Sequence, residues 1–213
     1  MKKVCQSLKK YYQTLRISYI YIKDLLCYVV AVSKKEAPMT CNVHILKQSV
    51  VLTKCDAIVN AANTSLLGGG GVDGAIHNMA GPDLLKACSA LGGCETGSAK
   101  ITKAYNIKTA KYIIHAVGPV YSGRTSDPQL LGSCYSSALN LALANSCSSI
   151  AFPCISTGVY SYPLNKAADV VINSLEKWAA EHKDANLEIY LCCFRQEEYD
   201  SYLALNRGDE FTL

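Results

Sequence analysis

Four consecutive glycines, Gly68 to Gly71, sit between a short apolar run and a segment that reads as a helix. Without β-carbons such a stretch adopts positive φ at little steric cost and lets a ligand approach its backbone closely. The chain therefore turns there. The run before it, Asp56–Ala61, predicts a short strand, and residues from about Gly74 to Ala80 predict a helix. Strand, glycine turn and helix in that order place the free N–H groups of a helix start beside an open backbone. That is an arrangement suited to anions.

From Cys41 onward the same alternation continues. Val43–Lys47, Ala99–Tyr105, Tyr112–Val117, Ser149–Ile155 and Leu187–Phe194 also read as strands. Pro82–Ala90, Gln129–Ala144, Leu164–Ala180 and Glu197–Leu205 read as helices, the first with proline at its start. Apolar strands alternating with helices predict an α/β fold with a sheet covered on both faces. Ligands in such folds sit beyond the carboxyl ends of the strands.

A second loop stands at a strand end: Ser156-Thr157-Gly158-Val159-Tyr160-Ser161, ahead of a helix opening near Pro163. It offers hydroxyls, a glycine and backbone amides. Two such loops can grip a diphosphate from opposite sides, and neither contains a lysine. Gly69, Gly71 and Gly74 also satisfy the dinucleotide spacing G-x-G-x-x-G. That fingerprint wants an acid about 20 positions on, at the end of a second strand. Glu95 has the distance but lies in the loop Leu91–Gly97. No Gly-Lys-Ser/Thr follows the glycines, which excludes a P-loop.

The 213 residues suit one α/β domain with an appendage. Residues 1–40 form the expected N-terminal extension, helical or partly disordered, and 41–213 the domain. The extension has no glycine, and Lys2, Lys3, Lys9, Lys10, Arg16 and Lys23 precede its first acid, Asp24. A mitochondrial presequence can begin so, although only one of those six charges is arginine. Leu25–Val32 is too short to span a bilayer, so no membrane is expected. A net charge of +4 gives no ground to expect nucleic acid and suits an anionic small ligand equally well. The 11 cysteines, an odd number scattered through apolar runs, argue against a disulfide framework and for a reducing intracellular compartment, cytoplasm or nucleus. No Cys-x-x-Cys pair occurs, and no metal is expected. The expected state is a monomer.

Asn60-Ala61-Ala62-Asn63 closes the second strand. Asparagines at a strand end are often turn formers. Separated by small alanines, they also leave room for a ribose and can bond its hydroxyls. Asp73 stands near a helix start, where its charge is stabilised; by itself it reads as an N-cap. His77 follows four residues later on the same helix, within reach of Asp73. His115 follows two isoleucines in a strand and reads as a core residue. No G-x-S-x-G elbow and no adjacent Cys/His pair is present. The chemistry these residues suit is water attack aided by positioning and electrostatics.

Asp56-Ala57-Ile58-Val59-Asn60-Ala61-Ala62-Asn63, Ser65-Leu66-Leu67 through Gly74-Ala75-Ile76-His77, Ala80-Gly81-Pro82, His115-Ala116-Val117-Gly118-Pro119, Ala151-Phe152-Pro153 and Ile155-Ser156-Thr157-Gly158-Val159-Tyr160 together resemble the macrodomain family, and within it the MacroD-type hydrolases. The resemblance runs from about residue 41 to 206. It implies a three-layer α/β/α fold with a mixed central sheet of about six strands, and ADP-ribose in a cleft at the strand ends. It implies that Asn63 and Asp73 lie at the distal ribose beside Ala61 and Ala62, with Asp73 orienting the attacking water and His77 as a secondary catalytic candidate. Gly68, Gly69, Gly70, Gly71 and Val72, with Ile155, Ser156, Thr157, Gly158, Val159, Tyr160 and Ser161, would enclose the diphosphate and distal ribose. Phe194 falls where the family stacks an aromatic on adenine, with Ser49 and Val50 nearby. No metal or organic cofactor is implied.

Two positions depart from the pattern. The family usually carries Gly-Asp-Ile-Thr after the first strand, its aspartate bonding adenine; here the aligned residues are Gln48-Ser49-Val50-Val51. Ser161 replaces a usual glycine, so a positive φ there would strain or reshape the loop. The expected function is an ADP-ribose-binding hydrolase that removes mono-ADP-ribose from acidic side chains, deacetylates O-acetyl-ADP-ribose, or both. Its expected partners are ADP-ribose, ADP-ribosylated proteins and O-acetyl-ADP-ribose. The alternatives are a non-catalytic ADP-ribose reader, a binder of RNA or poly(ADP-ribose) using the basic N-terminal segment, and a nicotinamide-dependent oxidoreductase.

Overall fold

A computed structural model describes residues 40–213; the expectations for residues 1–39 lie outside them. The strands are β1 (Cys41–Leu46), β2 (Ala57–Ala62), β3 (Ala99–Lys103), β4 (Tyr112–Val117), β5 (Ser149–Pro153), β6 (Leu187–Cys192) and β7 (Glu210–Thr212). The helices are α1 (Gly71–Ala80), α2 (Pro82–Leu91), α3 (Ser126–Ala144), α4 (Leu164–Glu181) and α5 (Gln196–Leu203), and Val50–Leu52 makes one 3-10 turn. The sheet order is β3-β4-β2-β5-β6-β1-β7. The inner five strands are parallel and the two edges antiparallel. The carboxyl ends of β4, β2, β5, β6 and β1 thus share one edge, and the loops after them line it.

Two apolar clusters flank the sheet. One gathers Leu131, Tyr135, Leu139, Phe152, Val171, Leu175 and Trp178, beneath α3 and α4. The other gathers Ile58, Ile76, Leu84, Ile113 and Val117, beneath α1 and α2. That is a three-layer α/β/α sandwich. Ile58, Val59, Ile113, Ile114, Ile150 and Phe152 are fully buried, as expected of parallel strands covered on both faces. Burying each side chain of that size contributes about 1.5–3 kcal/mol.

The expected six strands are seven. β7 pairs antiparallel with β1, Phe211 opposite Val43. It is three residues long with one apolar side chain, so it has no alternation to read. It covers an edge that would otherwise be open. Helix boundaries also move. α3 begins at Ser126, because Pro128 falls in a first turn that needs no N–H. α1 begins at Gly71, not near Gly74. A β-carbon on Gly74 would lie 2.7 Å from the Gly69 carbonyl oxygen, so glycine inside this helix lets the preceding loop fold down onto it.

Candidate functional site

The site grows from β2. Asn60 lies on the same face as Ile58 and Ala62, beneath α1, and is completely buried. Its Nδ2 donates to Asp73 Oδ1 at 2.7 Å. Asp73 is 4% exposed. It lies in the first turn of α1, three residues after the N-cap Gly70, so the expected N-cap role is corrected: Asp73 is inside the helix. Its charge still lies at the positive end of the helix dipole. Asp73 Oδ2 faces the glycine loop, 3.0 Å from where a side chain on Gly69 would begin. Any larger residue at position 69 would close the approach to that oxygen.

Asn63 meets Asp73 across the same glycine, its Nδ2 3.4 Å from that point. Its Nδ2 donates to the Gly68 carbonyl at 2.9 Å, and its Oδ1 accepts from Ser65 N and Ser65 Oγ. These bonds fold the start of the loop. Ala61 is half-buried and Ala62 buried, so the strand end carries no bulk. His77 stands one turn on, its Nε2 3.5 Å from Asp73 Oδ1, too long for a good hydrogen bond. His115, expected in the core, is there: it is 0% exposed and its Nδ1 lies 3.1 Å from Asn60 Nδ2. Burial, with the His77 ring beside it, lowers its pKa to about 4, so it is neutral near pH 7.

The second loop follows β5. Ile155 and Ser156 are buried, Thr157 and Tyr160 half-buried, and Gly158, Val159 and Ser161 exposed. Thr157 Oγ1 donates to the Cys154 carbonyl, Ser161 N to the Gly158 carbonyl, and Tyr162 N to the Ser156 carbonyl. The loop is thus self-closed, with Val159 at its tip, 96% exposed. Ser161 does adopt φ 57° and Ser156 φ 67°, so serine in place of the usual glycine at 161 leaves local strain. Such a left-handed residue costs roughly 1–2 kcal/mol. Among the described residues three buried side-chain atoms lack a protein hydrogen-bond partner: Asn60 Oδ1, His77 Nε2 and Ser156 Oγ. One lies in β2, one in α1 and one in the loop after β5, the elements that carry the site. Such groups cost about 1–3 kcal/mol each, and native proteins concentrate them where a ligand or reaction uses them.

At the far side of the edge, after β6, the Phe194 ring is 77% exposed, free to stack on a flat ligand. Glu198 fixes its backbone: Oε2 accepts from Phe194 N at 2.8 Å and Arg195 N at 3.0 Å. The Arg195 guanidinium bonds Glu198 Oε1 and reaches the Thr157 carbonyl, joining this segment to the second loop. Ser49 precedes the 3-10 turn after β1 and makes no side-chain cap, while Val50 is buried beside it. Thr53 Oγ1, 3.1 Å from Cys192 Sγ, ties that turn to the end of β6. Sequence reasoning missed Asn60 as a partner of Asp73, and it missed Glu198. The legible signal for Glu198 was its place three residues into a helix, a capping-box position. Among the described residues no three His, Cys, Asp or Glu side chains are grouped to hold a metal. No described helix is long and apolar enough to cross a membrane.

A family model for the Macro domain matches residues 59–171. A macro domain-containing protein of Chlorobaculum tepidum is 50% identical over 161 residues, covering 75% of this chain and 92% of that protein. ADP-ribose glycohydrolase MACROD1 of Bos taurus is 47% identical over 171 residues, covering 79% of this chain and 52% of that protein. ADP-ribose glycohydrolase MACROD2 of Homo sapiens is 45% identical, covering 80% of this chain and 40% of that protein. The chain therefore spans about half or less of those two relatives. The crystal structure of the Trypanosoma brucei macrodomain in complex with ADP-ribose superposes with a TM-score of 0.72 at 45% identity, covering 77% of this chain and 68% of that one. The likeness holds in sequence and in fold alike, and the chain belongs to the macrodomain family.

Proposed function

We propose that this chain binds ADP-ribose across the strand ends and hydrolyses ADP-ribosyl esters, freeing mono-ADP-ribose from acidic side chains or acetate from O-acetyl-ADP-ribose. The observation that carries this is Asp73. Its carboxylate is buried, one oxygen is held by Asn60, and the other faces a glycine that keeps the approach open. An acceptor so placed orients a water and draws off its proton as the water attacks. One water is consumed, the ester C–O bond breaks, and a carboxylic acid and a ribose hydroxyl are released. The N–H groups of the glycine loop and those of Gly158, Val159 and Tyr160, which bond no backbone carbonyl, receive the diphosphate, and Phe194 receives the adenine. Relatives named ADP-ribose glycohydrolases, and a structural neighbour holding ADP-ribose, support this reading. Nine free cysteines in the described residues, seven of them buried, support a reducing compartment.

The test is release of free ADP-ribose from a protein mono-ADP-ribosylated on glutamate, by wild type and by Asp73→Ala. The wild type releases it and the variant, still folded by circular dichroism, does not. Turnover retained by Asp73→Ala would remove Asp73 from the mechanism. No release by wild type, with ADP-ribose still bound in calorimetry, would make the chain a reader.

A further inference from the structure

We propose that His115 is a positioning residue: through Asn60 it aims the carboxylate of Asp73, on which the hydrolase reading rests. Four elements meet at its ring. β4 carries His115; β2 brings Asn60, whose Nδ2 is 3.1 Å from Nδ1; β3 brings Thr102, whose Oγ1 is 3.0 Å from Nε2; α2 brings Cys88, whose Sγ is 3.5 Å from Nε2. Register puts His115 directly opposite Asn60 on β2 and Lys100 on β3.

The proton positions follow from chemistry. A carboxylate only accepts hydrogen bonds, so the Asn60 atom facing Asp73 is the amide nitrogen. That nitrogen has a second N–H, and it faces His115 Nδ1. The ring is neutral and has one N–H. Nδ1 must therefore be the bare acceptor, and Nε2–H donates to Thr102 Oγ1. The Cys88 thiol, pushed up to about 11 chiefly by burial, stays protonated and adds no charge. His77, its ring centroid 6.4 Å away, is the other titratable ring nearby.

The chain of bonds has one direction: Thr102 fixes the tautomer, the tautomer offers an acceptor, and the acceptor holds the Asn60 amide with nitrogen toward Asp73. Asn60 Oδ1 has no protein partner, so the amide is held only through its two N–H groups, one on Asp73 and one on His115. Without the Nδ1 acceptor the amide keeps only its bond to Asp73, and the two side chains can swing together, so the direction of the carboxylate is lost.

Two amide variants, each matching one ring nitrogen, separate this role from packing. In His115→Asn the new Oδ1 falls near the place of Nδ1 and keeps the acceptor. In His115→Gln the polar atoms fall near Nε2, and the acceptor for Asn60 is lost. His115→Gln lowers kcat about tenfold to a hundredfold with KM within about twofold, whereas His115→Asn stays within about threefold of wild type. Equal losses in the two variants, or an unaffected His115→Gln, overturn the proposal. Long-range 1H–15N spectra of labelled wild type need neither a variant nor activity: they show His115 as the Nε2–H tautomer, and an Nδ1–H tautomer overturns the proposal. If wild type releases no ADP-ribose, the hydrolase reading fails by itself, and the tautomer still decides whether His115 holds Asn60.

Discussion

Two aspartates flank strand β2, Asp56 just before it and Asp73 in the helix that follows, and the two are held in opposite ways. Asp56, just before the strand, accepts from Ser148 N at 2.8 Å, Ser148 Oγ at 2.7 Å and Ser149 Oγ, and pairs with Lys111 at 2.8 Å. Asp73, after it, has one close partner, Asn60, and an oxygen turned to an open glycine loop. The unpartnered buried atoms of the described residues are also at the Asp73 end. A saturated carboxylate staples loops together. An unsaturated one in a buried setting keeps capacity for a ligand or a water.

The largest effect expected of any substitution separates the two ends outright. Asp73→Asn lowers ADP-ribose release about 10²–10⁴-fold while the calorimetric midpoint moves by only a few degrees. The comparison breaks if that variant unfolds instead. Asp56→Asn does the reverse: it destabilises by about 2–3 kcal/mol, or roughly 4–12 °C, and leaves turnover per folded molecule unchanged. The Lys111 ammonium, with the Ser148 hydroxyl and backbone N–H, holds the Asp56 carboxyl well below the usual carboxylate range. Its folded pKa is depressed, so its stabilisation is present above about pH 4 and is lost as pH falls below it. Urea denaturation of wild type and Asp56→Asn therefore diverges at pH 7 and converges in acid.

Smaller changes sharpen the picture along the cleft. Ser49→Asp restores an acceptor where the family usually bonds adenine, and tightens ADP-ribose binding about tenfold to a hundredfold in calorimetry. Unchanged affinity would place adenine elsewhere. Ser161→Gly relieves a left-handed serine and stabilises the fold by about 1 kcal/mol or less, since glycine also gains entropy when unfolded. A loss of stability would show that the serine hydroxyl is used.

Most of the layered architecture is legible in the sequence because apolar runs between turns have few places to go. The runs at Asp56–Ala61 and Tyr112–Val117 became the adjacent strands β2 and β4. The glycine loop and the Ser156–Ser161 loop stand at strand ends, as their composition suggested. β7 was not legible, because a three-residue edge strand is specified by its partner β1 and not by its own side chains. Asp73 could be read as near a helix start, but not as inside the helix, because Gly71 and Gly74 weaken any local helix signal and the turn forms by packing onto Gly69.

The sequence by itself determined the alternation of strands and helices, the two loops open to an anion, and the family, because periodicity, glycine and motif spacing are local properties. Only the tertiary structure decided that Asn60, Asp73, His115 and Thr102, from three strands and a helix, form one directed chain of hydrogen bonds. The reason is physical. A hydrogen bond's direction depends on which groups face one another across strands far apart in sequence, and only the register of β2, β3 and β4 brings those groups within 3 Å or so of each other.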